Sequence, residues 1–137
     1  MAGNARIMKK IILSLFCVIN LSHAQPLSPD KAFQFLGKVE NNSIMIYLTT
    51  QPSYRLYKDS IKVTNDKSKV ELQPIIKPQG KRQYNEFLQK YQEEYEGNVL
   101  MEIPIKGKGK IEFDIEAQGC TNGLCYSPFT THIKLNN

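Results

Sequence analysis

Gly119 to Pro128 reads GCTNGLCYSP, with Cys120 and Cys125 on either side of Asn122-Gly123. Asn-Gly between two β-like segments is the strongest short-range signal for a two-residue type I′ hairpin, because both central residues must accept φ > 0. With Asn122 and Gly123 as the loop, Thr121 and Leu124 form the hydrogen-bonded pair that flanks it. The next pair out sets Cys120 opposite Cys125 at a non-hydrogen-bonded position, where facing Cα atoms stand roughly 4.5 Å apart. That is the short end of the ~4.4–6.8 Å range a disulfide bridges. The segment therefore reads as one end of an antiparallel β fold carrying a cross-strand dithiol that closes without moving the backbone.

The rest of the chain supports that fold class. Ile111 to Ala117 (IEFDIEA) places Ile111, Phe113, Ile115 and Ala117 on one face, and Val99 to Ile105 (VLMEIPI) alternates as well. Ile44 to Thr50 is β-rich, and Leu56 to Val63 alternates with an imperfect period of two. Val70, Leu72 and Ile75-Ile76 mark a strand interrupted by Pro74, and Thr130 to Leu135 closes the chain. Roughly six or seven short strands between turn signals predict an antiparallel β-sandwich. A short helix is expected from Ser28 as N-cap and Pro29 at the first helical position, running on through Phe35-Leu36 until Gly37 stops it.

Lys77 to Gly97 (KPQGKRQYNEFLQKYQEEYEG) is long and polar for a connection inside a compact domain. It reads as a loop plus a polar strand whose aromatics pack locally, or as a lid with one aromatic over a nearby site. Glu93, Glu94 and Glu96 read as a solvated face.

The N-terminal stretch stands apart. Arg6, Lys9 and Lys10 precede an apolar run, Ile11 to Leu21, and Ser22-His23-Ala24 supplies small residues at the cleavage positions. Residues 1–24 are therefore expected to be a secretory signal peptide, cut after Ala24 and taking Cys17 with it, and 25–137 a single domain. The apolar run is shorter than the ~20 residues a membrane span needs. Of the 18 Lys and Arg, three lie in the signal, leaving 15 against 13 acidic residues. That small surplus forms no basic stripe with interleaved aromatics, so nucleic-acid binding has no support.

Two cysteines then remain, in an oxidising compartment. They form a structural bridge or an exchanging one. A loop this short stabilises by only roughly 2 kcal/mol through chain entropy. No Lys, Arg or His adjoins the pair in sequence, so nothing local lowers a thiol pKa. His132 with the two cysteines makes a poor zinc set, and no cofactor or metal site is expected.

Four stretches together resemble one family. Gln118–Pro128 (QGCTNGLCYSP), Pro29–Phe35 (PDKAFQF), Pro52–Val63 (PSYRLYKDSIKV) and Asn85–Lys90 (NEFLQK) occur in the order found in the N-terminal periplasmic domain of DsbD thiol:disulfide interchange proteins. The resemblance implies an all-β, immunoglobulin-like antiparallel β-sandwich with a redox-active cysteine hairpin. It implies periplasmic electron relay through Cys120 and Cys125, as a protein-disulfide reductase component. Electrons would come from a thioredoxin-like donor domain or a membrane electron transporter. They would pass to a periplasmic disulfide isomerase or a thioredoxin-like protein of cytochrome c maturation. Phe87 matches a cap aromatic over the pair, Glu86 an acidic residue beside it, and Tyr54 and Tyr57 aromatic positions near the site. Tyr126 follows the second cysteine. The resemblance also favours Cys125 as the sulfur that makes mixed disulfides.

The chain departs from the family pattern in several places. It has four residues between the cysteines, one fewer than is common, and Arg55 stands where a second adjacent Tyr is common. Asn85 replaces an Asp, Ser127 a Pro, and Leu88-Gln89 an aromatic-Gly pair. The competing reading is a noncatalytic immunoglobulin-like binding module with a structural hairpin disulfide.

Overall fold

The computed structural model describes residues 24–86 and 88–137. Of the expected signal peptide, residues 1–24, all but Ala24 lie outside the described residues, Cys17 among them, as does Phe87. The structure is built from antiparallel strands after one short helix, α1 (Pro29–Ala32). Ser28 takes the N-cap position with an extended backbone but makes no capping bond through its side chain, and Pro29 occupies the first turn. The helix ends at Ala32, not at Gly37. Phe33 is already extended and opens β1 (Phe33–Glu40), which pairs along its whole length with β2 (Ser43–Thr50). Gly37 is needed for a different reason. A Cβ there would stand 3.1 Å from the side chains of both Ile133 and Leu135, so the glycine permits close approach of another strand.

One sheet has the order β1-β2-β8-β5, where β8 is Asn98–Lys106 and β5 is Glu71–Leu72. The expected strand around Pro74 reduces to β5 and a single bridge between Ile76 and Glu102. Ile44, Ile46 and Leu48 of β2 and Met101 and Ile103 of β8 are almost fully buried on one face. Opposite them lie Ile111, Phe113, Ile115 and Ala117 of β9 (Lys110–Ala117), also buried, and Ile133 of β12 (Phe129–Asn136). Each of the Ile, Leu, Met and Phe side chains among these contributes on the order of 2 kcal/mol by leaving water.

The second layer bends. β9 lies between β12 and β4 (Lys62–Thr64), and after Gln118 the chain continues as β10 (Gly119–Thr121) in a different sheet. That sheet has the order β11-β10-β3-β7-β6, comprising β3 (Tyr54–Tyr57), β6 (Lys81–Asn85), β7 (Lys90–Tyr95) and β11 (Leu124–Cys125). The expected single strand from Leu56 to Val63 is thus two, β3 and β4, separated by a 3-10 turn at Lys58–Ser60. Ser60 holds the joint: its hydroxyl donates to the Tyr57 carbonyl at 2.6 Å and accepts from the Gln118 amide at 2.9 Å. Lys77 to Gly97 is a hairpin of two strands, β6 and β7, where a loop and one strand were expected. The architecture is the all-β, antiparallel sandwich that the alternating strands predict.

Candidate functional site

The cysteines sit at the end of the bent layer, where β10 turns into β11. Asn122 and Gly123 have φ of 43° and 79°, so both loop residues adopt the left-handed conformation a type I′ turn requires. Thr121 faces Leu124, and Cys120 faces Cys125 across a closed disulfide with Cα atoms 4.0 Å apart. The two cysteines are not equivalent in their surroundings. Cys120 is 3 % exposed, whereas Cys125 is open to solvent.

β10 is fastened beneath. A Cβ on Gly119 would stand 2.4 Å from the Phe33 ring and 2.6 Å from the Arg55 carbonyl, so only glycine lets β10 lie this close. Phe33 stacks on Phe129 and meets Tyr54 and Tyr126 edge-on. Tyr54 accepts a hydrogen bond from the Leu27 amide (2.8 Å), and Tyr126 donates one to the Leu27 carbonyl (2.6 Å). These two tyrosines therefore clamp the N-terminal segment against the hairpin. Neither lines the groove that holds the sulfurs. Burial raises the pKa of Tyr126, and its contact with Tyr54 adds to the shift.

That groove lies on the outer face of the five-stranded sheet. Cys120 is paired with Arg55, and Tyr57, two residues on, is paired with Glu94. Because alternate residues of a strand share a face, these side chains share one with the disulfide. Tyr57 reaches both sulfurs, at 2.8 Å to Cys120 Sγ and 3.6 Å to Cys125 Sγ. The Asn85 side-chain amide donates to the Tyr57 oxygen at 3.4 Å, and Asn85 also accepts the Leu88 amide at 2.9 Å. Asn85 thus couples the β6–β7 turn to the sulfur contact. Glu86 and Leu88, on that turn, line the groove beside the cysteines.

Three groups here were missed or misread from sequence. Glu94, read as part of a solvated face, is 6 % exposed. Its Oε2 lies 3.6 Å from Arg55 Nε. Arg55 brings a cation into the groove although none adjoins the cysteines in sequence, and Gln118 lines it too. The signal that would have found them is register: Arg55 falls opposite Cys120 once β3 and β10 are aligned as an antiparallel pair. Glu93 anchors the hairpin base, accepting from Lys58 Nζ (2.9 Å) and the Gly80 amide, and those bonds hold its carboxyl below the usual range. His132 lies on β12, bonded to Asp114 (2.7 Å) and away from the cysteine hairpin.

Comparison with known proteins identifies the family and the fold. The family model described as "Thiol:disulfide interchange protein DsbD, N-terminal" matches residues 23–137. Among curated relatives, the thiol:disulfide interchange protein DsbD of Actinobacillus pleuropneumoniae serotype 5b is 28 % identical over 112 residues, covering 80 % of this chain and 19 % of that protein. Its counterpart in Ralstonia nicotianae is 21 % identical, with 80 % and 18 % covered. The chain thus spans about a fifth of the length of these relatives. A solved structure of the Neisseria meningitidis DsbD N-terminal domain in the reduced form superposes with a TM-score of 0.69 at 20 % identity, covering 81 % of this chain and 90 % of that one. The complex between the DsbD N-terminal and PilB N-terminal domains of the same organism gives 0.65 at 21 % identity, with 79 % and 85 % covered. The shared fold is the immunoglobulin-like sandwich.

Proposed function

Because the chain belongs to the family of DsbD N-terminal domains, we propose that it performs thiol:disulfide interchange through Cys120 and Cys125 in the periplasm, after export by a cleaved signal peptide. The observation that carries the reading is the asymmetry of the bridge: an exposed Cys125 beside a buried Cys120 whose sulfur holds a hydrogen bond to Tyr57. Exchange needs in-line attack of a thiolate on a disulfide sulfur, and the leaving sulfur departs faster when its negative charge is stabilised.

The chemistry follows from that asymmetry. A donor thiolate attacks Cys125 Sγ, the Cys120–Cys125 bond breaks, and Cys120 leaves as a thiolate with Tyr57 as donor. The donor's second thiolate then attacks the donor sulfur of the mixed disulfide and releases Cys125, so two electrons have moved into the domain. In the forward half, the Cys125 thiolate attacks a client disulfide and expels one client thiolate. Cys120 then attacks Cys125 Sγ and expels the other. The domain ends oxidised, and the client holds both electrons and takes up two protons.

The donor is a thioredoxin-like domain or a membrane electron transporter, and the clients are a periplasmic disulfide isomerase or a thioredoxin-like protein of cytochrome c maturation. The complex of a DsbD N-terminal relative with the PilB N-terminal domain supports a partner domain for this one. Phe87 and Glu86 are assigned to the cap, with Phe87 shielding the sulfurs until a partner docks. Tyr54 and Tyr126 support the hairpin, and Tyr57 contacts the sulfurs.

The test is trapping with oxidised thioredoxin-like clients. Cys120→Ser is expected to accumulate a mixed disulfide through Cys125, whereas Cys125→Ser accumulates none. If the reduced wild-type chain transfers no electrons and neither variant traps, the exchange reading fails. The noncatalytic binding module then stands in its place, provided the fold depends on the bridge.

A further inference from the structure

We propose that Arg55 and Glu94 are opposed positioning residues that set the acidity of Cys120, with one guanidinium shared between a buried carboxylate and the sulfur. Arg55 stands directly across from Cys120 in the β3–β10 register. Facing residues in such a pair have Cβ atoms roughly 4.5–5.5 Å apart, within easy reach of an arginine. Arg55 is the only Lys, Arg or His among the described residues that line the groove. Its other neighbour is Glu94, which faces Tyr57 across β3–β7.

The contact between Arg55 and Glu94 is loose. Nε and Oε2 are 3.6 Å apart, and Oε2 is buried with no hydrogen-bond partner among the described residues. A carboxylate in that position depends on a nearby cation, because burying an unpaired charge costs several kcal/mol. Arg55 is 41 % exposed along its side chain, so it has room to reorient. In the oxidised state the groove holds one cation and one buried anion. Reduction adds a second candidate anion when Cys120 becomes a thiolate. That thiolate competes with Glu94 for the same guanidinium, and Glu86 on the β6–β7 turn also lines the groove and adds negative charge to it. Lys81 lies across from Glu94 on β6 but outside the groove lining. Tyr57 supplies a neutral donor to the sulfur.

This arrangement predicts shifts of opposite sign. Removing Arg55 leaves the thiolate with repulsion from Glu94 and raises the Cys120 pKa. Removing the charge of Glu94 frees Arg55 for the sulfur and lowers it. An opposite charge within ~4–6 Å moves a pKa by 1–3 units in favourable sites, and about one unit is expected for a partly exposed arginine.

The role of this acidity in catalysis rests on the exchange reading, but the acidity is read without a partner. In a Cys125→Ser background, the pH dependence of Cys120 alkylation by iodoacetamide, together with ultraviolet thiolate absorbance, reports the Cys120 pKa. Arg55→Gln is expected to raise it by about one unit, Arg55→Lys to keep most of the parent value, and Glu94→Gln to lower it. Circular dichroism checks each fold. If Cys125→Ser does not fold, the same variants are read in the reduced two-cysteine chain, where the buried thiol gives the slow alkylation phase. Shifts of the same sign for Arg55→Gln and Glu94→Gln, or none for either, would overturn the proposal. Shifts as expected in a chain that reduces no client would leave it standing and remove the exchange reading instead.

Discussion

The Tyr57 hydroxyl lies 2.8 Å from Cys120 Sγ, and the Asn85 amide steadies it from the other side at 3.4 Å. A disulfide sulfur only accepts, so in the oxidised state Tyr57 donates. After reduction the same hydroxyl is placed to donate to a thiolate, which gains more from a donor than a neutral sulfur does. Tyr57→Phe is expected to keep the fold, lose about 1 kcal/mol of stability, and slow re-reduction by a small dithiol. Urea unfolding and stopped-flow reduction check this, and an unchanged reduction rate would show that the contact has no chemical role.

Gly119→Ala tests the fastening of the hairpin. Its Cβ would meet the Phe33 ring and the Arg55 carbonyl at distances no real Cβ tolerates. Overpacking of this kind costs roughly 1–3 kcal/mol, and the backbone of β10 must move away from β3 to relieve it. Expected are a lower urea midpoint and a changed Cys120 alkylation rate. A midpoint equal to wild type would mean that Phe33 yields without resistance.

Opening the bridge should cost little. Chain entropy alone assigns a loop this short roughly 2 kcal/mol, and the aromatic cluster around Phe33 does not involve the sulfurs. Reduced chain is therefore expected to give a β-type circular dichroism spectrum matching the oxidised one, with a modestly lower melting temperature. Unfolding on reduction would favour the structural bridge.

The β6–β7 hairpin carries a pH dependence at its base. The Gly80 amide and the Lys58 ammonium hold the Glu93 carboxyl below its ordinary value of 4.5. A depressed folded pKa means stabilisation that is complete above the unfolded value and is lost as pH falls through the folded one. Amide exchange at Gly80 is expected to accelerate as pH drops below about 4.5, beyond the intrinsic pH trend, and Glu93→Gln to remove that change. Protection that follows only the intrinsic trend in both proteins would sink the idea.

The hairpin and the long strands were legible because their causes are local. Asn122-Gly123 requires two positive φ values, and the Ile111–Ala117 alternation requires one buried face. What was not legible depends on distant partners. Alternation continues past Tyr57, yet the layer bends there, where Ser60 binds Gln118 in the joint between β9 and β10. Gly37 resembles a helix stop until Ile133 and Leu135 are seen against it. Glu94 sits in a run of glutamates that looks solvated, and only the arrangement of β3 beside β7 buries it next to Arg55.

β12 begins at Phe129 beside the cysteine hairpin and runs to Asn136, opposite Lys110, about 23 Å away at the rise of a strand. Asn137 is tied there to the Gly107 carbonyl, while Leu27 is clamped at the cysteine end by Tyr54 and Tyr126. Asn137 and the cysteine hairpin therefore lie at opposite ends of β12. A bead, a surface or a fluorophore attached at Asn137 leaves the sulfurs facing outward, whereas the same attachment at Gln25 crowds them.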